Sequence, residues 1–132
     1  MTAESQKRAR IASFLQLAQE EFDAAERLSA PLPRQAAYFV QQSVEKLLRA
    51  VLEKDEIAAG PSHNIRYLCE LLPDRHLLKS FFVAFDPLSA ASTRYRYPNP
   101  SGGLSSPAAA DVQDWLVRLR ALQEQVKAHI QT

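Results

Sequence analysis

The chain has almost no cysteine, no alternating strand pattern and no hydrophobic run of membrane-spanning length, and each lack removes a class of protein. Its single thiol, Cys69, cannot form a disulfide within the chain or a cysteine-rich zinc site, which fits a reducing compartment. Cys69 lies among Tyr67, Leu68, Leu71 and Leu72 and reads as a small buried apolar group rather than a nucleophile. The opening stretch MTAESQKRARIASF has basic residues with no apolar run behind them, unlike a secretory signal. Every hydrophobic stretch is too short or too polar for a bilayer, so a cytoplasmic protein without membrane contact is expected. An excess of one charge is also missing. With 16 Lys+Arg against 15 Asp+Glu the net charge is +1, and any nucleotide or RNA must be held by a local patch rather than a global field. Three histidines without a carboxylate at ligand spacing suggest no metal site, and nothing calls for a cofactor.

What the sequence does have is helical periodicity. Ile11, Phe14, Leu15, Ala18, Phe22, Ala25 and Leu28 recur at three- and four-residue steps and predict a first helix from about Glu4 to Leu28. Pro31 and Pro33 end it and open the next, and so short a connection makes the two helices antiparallel neighbours. Ala36, Ala37, Val40, Val44, Leu47, Leu48 and Val51 form the stripe of a second helix from Arg34 to about Lys54. After Gly60-Pro61, Ser62 can cap a short third helix through Leu72, which Pro73 ends. Asp74 can cap a fourth segment holding Leu77, Leu78, Phe81, Phe82 and Phe85. A second signal, Asp86-Pro87, kinks or splits that segment before a short continuation to about Thr93. Arg94 to Gly103 reads as the one long irregular stretch. Ser105 or Ser106 can cap a last helix whose stripe is Val112, Trp115, Leu116, Leu119, Leu122, Val126 and Ile130. The expectation is an all-α fold over residues 1–132 as one domain: an antiparallel up-and-down bundle of four main helices plus a short fifth.

The second helix contains Gln41-Gln42-Ser43-Val44-Glu45-Lys46-Leu47-Leu48-Arg49-Ala50-Val51, which resembles the central signature of HEPN domains, with Arg49 where the family usually has Lys. Ser62-His63-Asn64-Ile65-Arg66-Tyr67-Leu68 looks like the family's His-Asp/Asn helix start. Arg96-Tyr97-Pro98 resembles its Arg-Tyr-Pro element, with Arg94-Tyr95 as an upstream duplicate, so either arginine can be the equivalent one. The resemblance spans nearly the whole chain. It implies a helical bundle that commonly forms homodimers. Many members are encoded beside a minimal nucleotidyltransferase and act with it as a toxin–antitoxin-like pair. Others are nucleotide-binding modules, and active members are metal-independent RNases.

The enzyme reading meets an obstacle. RNA cleavage without metal needs a base, an acid and a cation. The nuclease members supply these with an Arg, four to six residues, then a His, and no pair here has that spacing. Arg75 is adjacent to His76, while nine residues separate Arg66 from His76 and eight separate Arg120 from His129. A substitute site in space would need His63 to meet Arg94 or Arg96. A helix start would favour the neutral form of His63, but with Ser62 it could instead simply cap that helix or hold the preceding loop. His76 and His129 read as solvated surface residues.

Arg94, Tyr95, Arg96 and Tyr97 form the candidate ligand cluster, because arginine forks phosphate and tyrosine stacks on bases, and Gly102-Gly103 would let backbone approach closely. Against this, a tyrosine could plug the bundle end and the arginines could cap helix carbonyls. Gln41, Gln42, Glu45 and Lys46 fit an interface role or support of the Arg94–Tyr97 loop, or a solvated face. The surplus of Phe81, Phe82 and Phe85 suggests a partner subunit. Three functions stay open: a nucleotide- or RNA-associated module working with a nucleotidyltransferase, an RNase with a departed Arg/His site, and a non-catalytic interaction scaffold.

Overall fold

The computed structural model describes residues 2–132, apart from the side chain of Ser92. It contains six helices in the order α1 (Ala3–Leu28), α2 (Pro33–Lys54), α3 (Ile65–Glu70), α4 (Lys79–Val83), α5 (Asp86–Arg96) and α6 (Ala109–Ile130), with no strand among the described residues. The Thr2 hydroxyl caps α1 by accepting from the Ser5 amide at 3.0 Å. Pro33 sits in the first turn of α2, where a missing N–H costs nothing.

The α1/α2 pair is antiparallel, as its short connection predicts. Lys7 pairs with Glu56 and Arg10 with Glu53, while Glu21 pairs with Lys46, so rising numbers on one helix meet falling numbers on the other. Between these pairs the buried Ser43 hydroxyl donates to the Ala18 carbonyl at 2.8 Å, which satisfies a polar group the core would otherwise penalise. Arg120 reaches Glu26, and Gln123 reaches Gln19, so α6 also runs antiparallel to α1. Helices α2 and α6 therefore run the same way, and their C-terminal ends lie together.

Helix α2 is the axis of the bundle and packs on α1, α3, α5 and α6. Every residue of its expected stripe is buried, and so are Ser43, Glu45, Ala50 and Leu52. Burial of each large apolar side chain stabilises the fold by roughly 1.5–3 kcal/mol, so α2 supplies much of the core. The helix stops by backbone geometry: Glu56 takes the left-handed conformation at φ 60°. The Ile57 amide then bonds the Leu52 carbonyl at 2.9 Å and the Glu56 amide bonds the Glu53 carbonyl at 3.2 Å. This is a Schellman stop made by a residue other than glycine.

Several expected boundaries move. Asn64, not Ser62, caps α3, because its side chain is three residues before the Tyr67 amide it accepts from, at 3.1 Å. Asp74 caps nothing: it pairs with Lys79, which also donates to the Leu72 carbonyl, and α4 begins only at Lys79. The expected split at Asp86-Pro87 separates α4 from α5. Helix α5 runs to Arg96 rather than ending near Thr93, and Tyr97 is extended ahead of Pro98, as a residue before proline prefers. Neither Ser105 nor Ser106 caps α6. Ser105 donates to Asn99, and Ala108 occupies the cap position without a side-chain bond.

Candidate functional site

Gln42, Glu45, Lys46 and Arg49 recur at three- and four-residue steps and so share one face of α2. This is where the sequence departs from the apolar stripe, and the structure turns it into a polar cradle. The Glu45 side chain is only 5% exposed, and one of its oxygens takes both the Arg49 Nε at 3.2 Å and the His63 Nδ1 at 3.0 Å. The Arg49 guanidinium also donates to the carbonyls of Gly60, at 3.3 Å, and Ser62. Beside it Lys46 donates to Glu21 at 2.9 Å. Burial pushes the Glu21 carboxyl above its ordinary 4.5, against the pull of Lys46. Glu45 and Arg49 strap the α2–α3 loop onto α2, while Lys46 ties α2 to α1.

A carboxylate only accepts hydrogen bonds, so His63 carries a proton on Nδ1. With the imidazole neutral, the Nε2 lone pair faces outward. The His63 side chain is 80% exposed, at a groove of about 400 Å³ that Phe14, Gln42 and Pro61 also line. A buried carboxylate that fixes the tautomer of an exposed imidazole is the arrangement that prepares a base. His63 lies one residue outside the α3 cap, so Glu45 rather than a helix start determines its orientation.

The second candidate region is the C-terminal end of α5. Arg94 and Arg96 are exposed, and among the described residues neither has an ion pair. Arg96 lies over the Tyr38 ring, 5.4 Å from its centroid, and Tyr38 meets Phe39 edge-on. Tyr97 is 61% exposed, while Tyr95 is half-buried against the core. Both arginines lie in the last turn of α5, where cations complement the helix dipole. Gly102 and Gly103 have positive φ and close a turn with Asn99, whose amide bonds the Gly103 carbonyl at 2.9 Å. The turn itself requires their positive φ.

His63 is held by Glu45, and among the described residues it has no hydrogen bond with Arg94 or Arg96. Gln42 bonds Lys46, not the Arg94–Tyr97 segment. Glu45 is buried rather than on a solvated face. Gln41 is half-buried, and its side-chain oxygen has no partner. Sequence reasoning missed two participants, Arg49 and Tyr38. Both lie on the helix with the strongest motif, one turn from residues it singled out.

His76 and His129 are not solvated surface residues. Both bring Nε2 to the carboxylate of Asp55, at 2.7 Å and 2.9 Å, and their rings meet with centroids 5.0 Å apart. The three residues are 21 and 74 positions apart, beyond any local pattern. Cys69 is buried, and burial pushes its thiol up to about 11, which suits its apolar reading. Of the three phenylalanines, Phe82 and Phe85 are buried and Phe81 is 44% exposed. Among the described residues no helix is long and apolar enough to cross a membrane.

Comparison with known proteins gives two matches. A family model described as "HEPN domain" matches residues 11–128. The fold is similar to the crystal structure of ST0689, described as an archaeal HEPN homologue, with a TM-score of 0.68. That alignment covers 91% of this chain and 97% of the other at 16% identity, a level that shows the fold alone. Comparison with curated proteins gives no match.

Proposed function

The chain belongs to the HEPN domain family, and from that premise we propose that it is a nucleotide- or RNA-associated module whose ligand surface is the end of α5. One observation carries the reading. Lys46 and Arg49 of α2 are paired internally, whereas Arg94 and Arg96 face solvent with no carboxylate partner among the described residues, next in the chain to the exposed Tyr97. Unpaired guanidinium groups suit phosphate, and an exposed tyrosine beside them suits a base. The module works as a homodimer and with a minimal nucleotidyltransferase in a toxin–antitoxin-like pair. The exposed Phe81, in a groove with Ala84 and Ala121 of about 390 Å³, supports the homodimer.

Titration with ATP, GTP and short RNA at low and moderate salt tests the ligand claim. Saturable binding that weakens in Arg94→Ala and Arg96→Ala is expected. No saturable binding, alone or with the partner, removes the claim. The dimer claim fails if light scattering gives a monomer mass at micromolar concentration.

A second reading is favoured by the Glu45–His63 contact. In it the module is a metal-independent RNase with His63 Nε2 as the base. RNA cleavage in EDTA that disappears in His63→Ala supports it. Cleavage that survives this change belongs elsewhere. The third reading, an interaction scaffold, is left if a tight protein complex forms with no effect of nucleotide or RNA.

A further inference from the structure

Asp55, His76 and His129 come from three separate parts of the chain: the C-cap of α2, the loop between α3 and α4, and the last turn of α6. We propose that they form a site for a zinc-like divalent transition-metal ion, distinct from both regions discussed above. The donor set is two imidazole nitrogens and one carboxylate, which suits zinc and its neighbours in the first row better than magnesium or calcium. Their ligand atoms all lie within 4.8 Å of one another. The nitrogen-to-oxygen separations are 2.7, 2.9 and 3.1 Å. A tetrahedral ion with bonds of roughly 2.0–2.1 Å needs donors about 3.3 Å apart, so the nitrogen-to-oxygen contacts must open by about 0.2 to 0.6 Å to admit it.

The side chains of His76, His129 and Asp55 are 10%, 21% and 23% exposed. The cluster is thus partly dehydrated yet keeps a route to solvent, which leaves a fourth position for water. One carboxylate and two neutral imidazoles leave a divalent ion at net charge +1, an acceptable value for a half-buried site.

One contact determines what binding must change. The Leu78 amide donates to His76 Nδ1 at 3.1 Å, so in the ion-free protein the neutral His76 carries its proton on Nε2 and gives it to Asp55. A cation takes the place of that proton at Nε2. The ring's proton then sits on Nδ1, and the Leu78 amide must turn to another acceptor. Ion binding therefore has a signature at a backbone group that is not a ligand.

The test uses the full chain without a histidine tag, freed of metal by a chelator that is then removed. Zinc titration by calorimetry should show one saturable site per chain, and cobalt should give the visible bands of a four-coordinate ion. The Leu78 amide resonance should shift as zinc is added. His76→Ala and His129→Ala should each weaken binding by more than the roughly 10- to 100-fold that loss of an outer-shell partner costs, while His63→Ala should not. His129→Gln separates ligation from simple clasping. Its amide still donates to Asp55, so the fold should hold, but zinc binding should be lost. The proposal is overturned if wild-type protein shows no saturable zinc binding, or if binding is unchanged in His129→Gln or occurs without movement of the Leu78 resonance.

Discussion

The α2 cradle and the end of α5 both carry arginine, yet they use it in opposite ways. Arg49 is held by Glu45 and by the carbonyls of Gly60 and Ser62. Arg94 and Arg96 have no such partners and lie on the surface. The contrast teaches that a motif rich in charged residues can be a structural strap, while Arg94 and Arg96 are left without an ion pair among the described residues. The paired region should therefore answer to stability measurements and the unpaired one to binding measurements.

The largest effect should come from Glu45→Ala. It leaves Arg49 half-sequestered without its carboxylate and frees His63. Breaking a buried pair from one side costs about 3 kcal/mol or more, to be read from urea unfolding. A loss under about 0.5 kcal/mol, the range of ordinary surface changes, would erase the distinction between the two regions. Arg49→Lys comes next. The charge stays, but a point ammonium cannot span Glu45 and two carbonyls, so the expected cost is about 1–2 kcal/mol.

The third prediction concerns Glu21, paired with Lys46 in the same region. Its carboxyl lies above the ordinary 4.5 because burial disfavours its charge. The folded state thus holds this proton more tightly than the unfolded chain does. The resulting stability is fully present below about 4.5 and is lost as pH rises through the elevated folded value. Wild-type protein should gain stability over Glu21→Gln as pH is lowered through that window, seen as diverging urea midpoints. Parallel midpoints would contradict the sign.

Arg94→Ala and Arg96→Ala should have the smallest effect on folding, within about 0.5 kcal/mol. If RNA binds there, each should lower the salt slope of binding by about 1. A marked loss of stability in either would place these arginines with the strap instead.

The sequence made some of this legible, for physical reasons that differ by region. The stripe Ala36, Ala37, Val40, Val44, Leu47, Leu48 and Val51 was readable because burial imposes the helical period, and all seven are buried. The end of α5 was not, because prolines and glycines crowd residues 98–103 and mask the helical pattern of the residues before them. Pro98 constrains only Tyr97, so Arg94 to Arg96 remain helical. Ser62 and Asn64 are both competent caps, and only backbone geometry chooses between them. The contact of His63 with Glu45 and the meeting of His76 and His129 at Asp55 depend on helix packing, which no local spacing encodes.

The Schellman stop at Glu56 makes α2 a spindle of fixed length. Glu45 meets the α2–α3 loop on one side, and Asp55 meets two imidazoles at the tip. Each residue advances the helix by about 100°, so one residue inserted between Ala50 and Lys54 would swing the tip carboxylate away from both rings. The two polar assemblies are thus phased by a single rotation count along one rod.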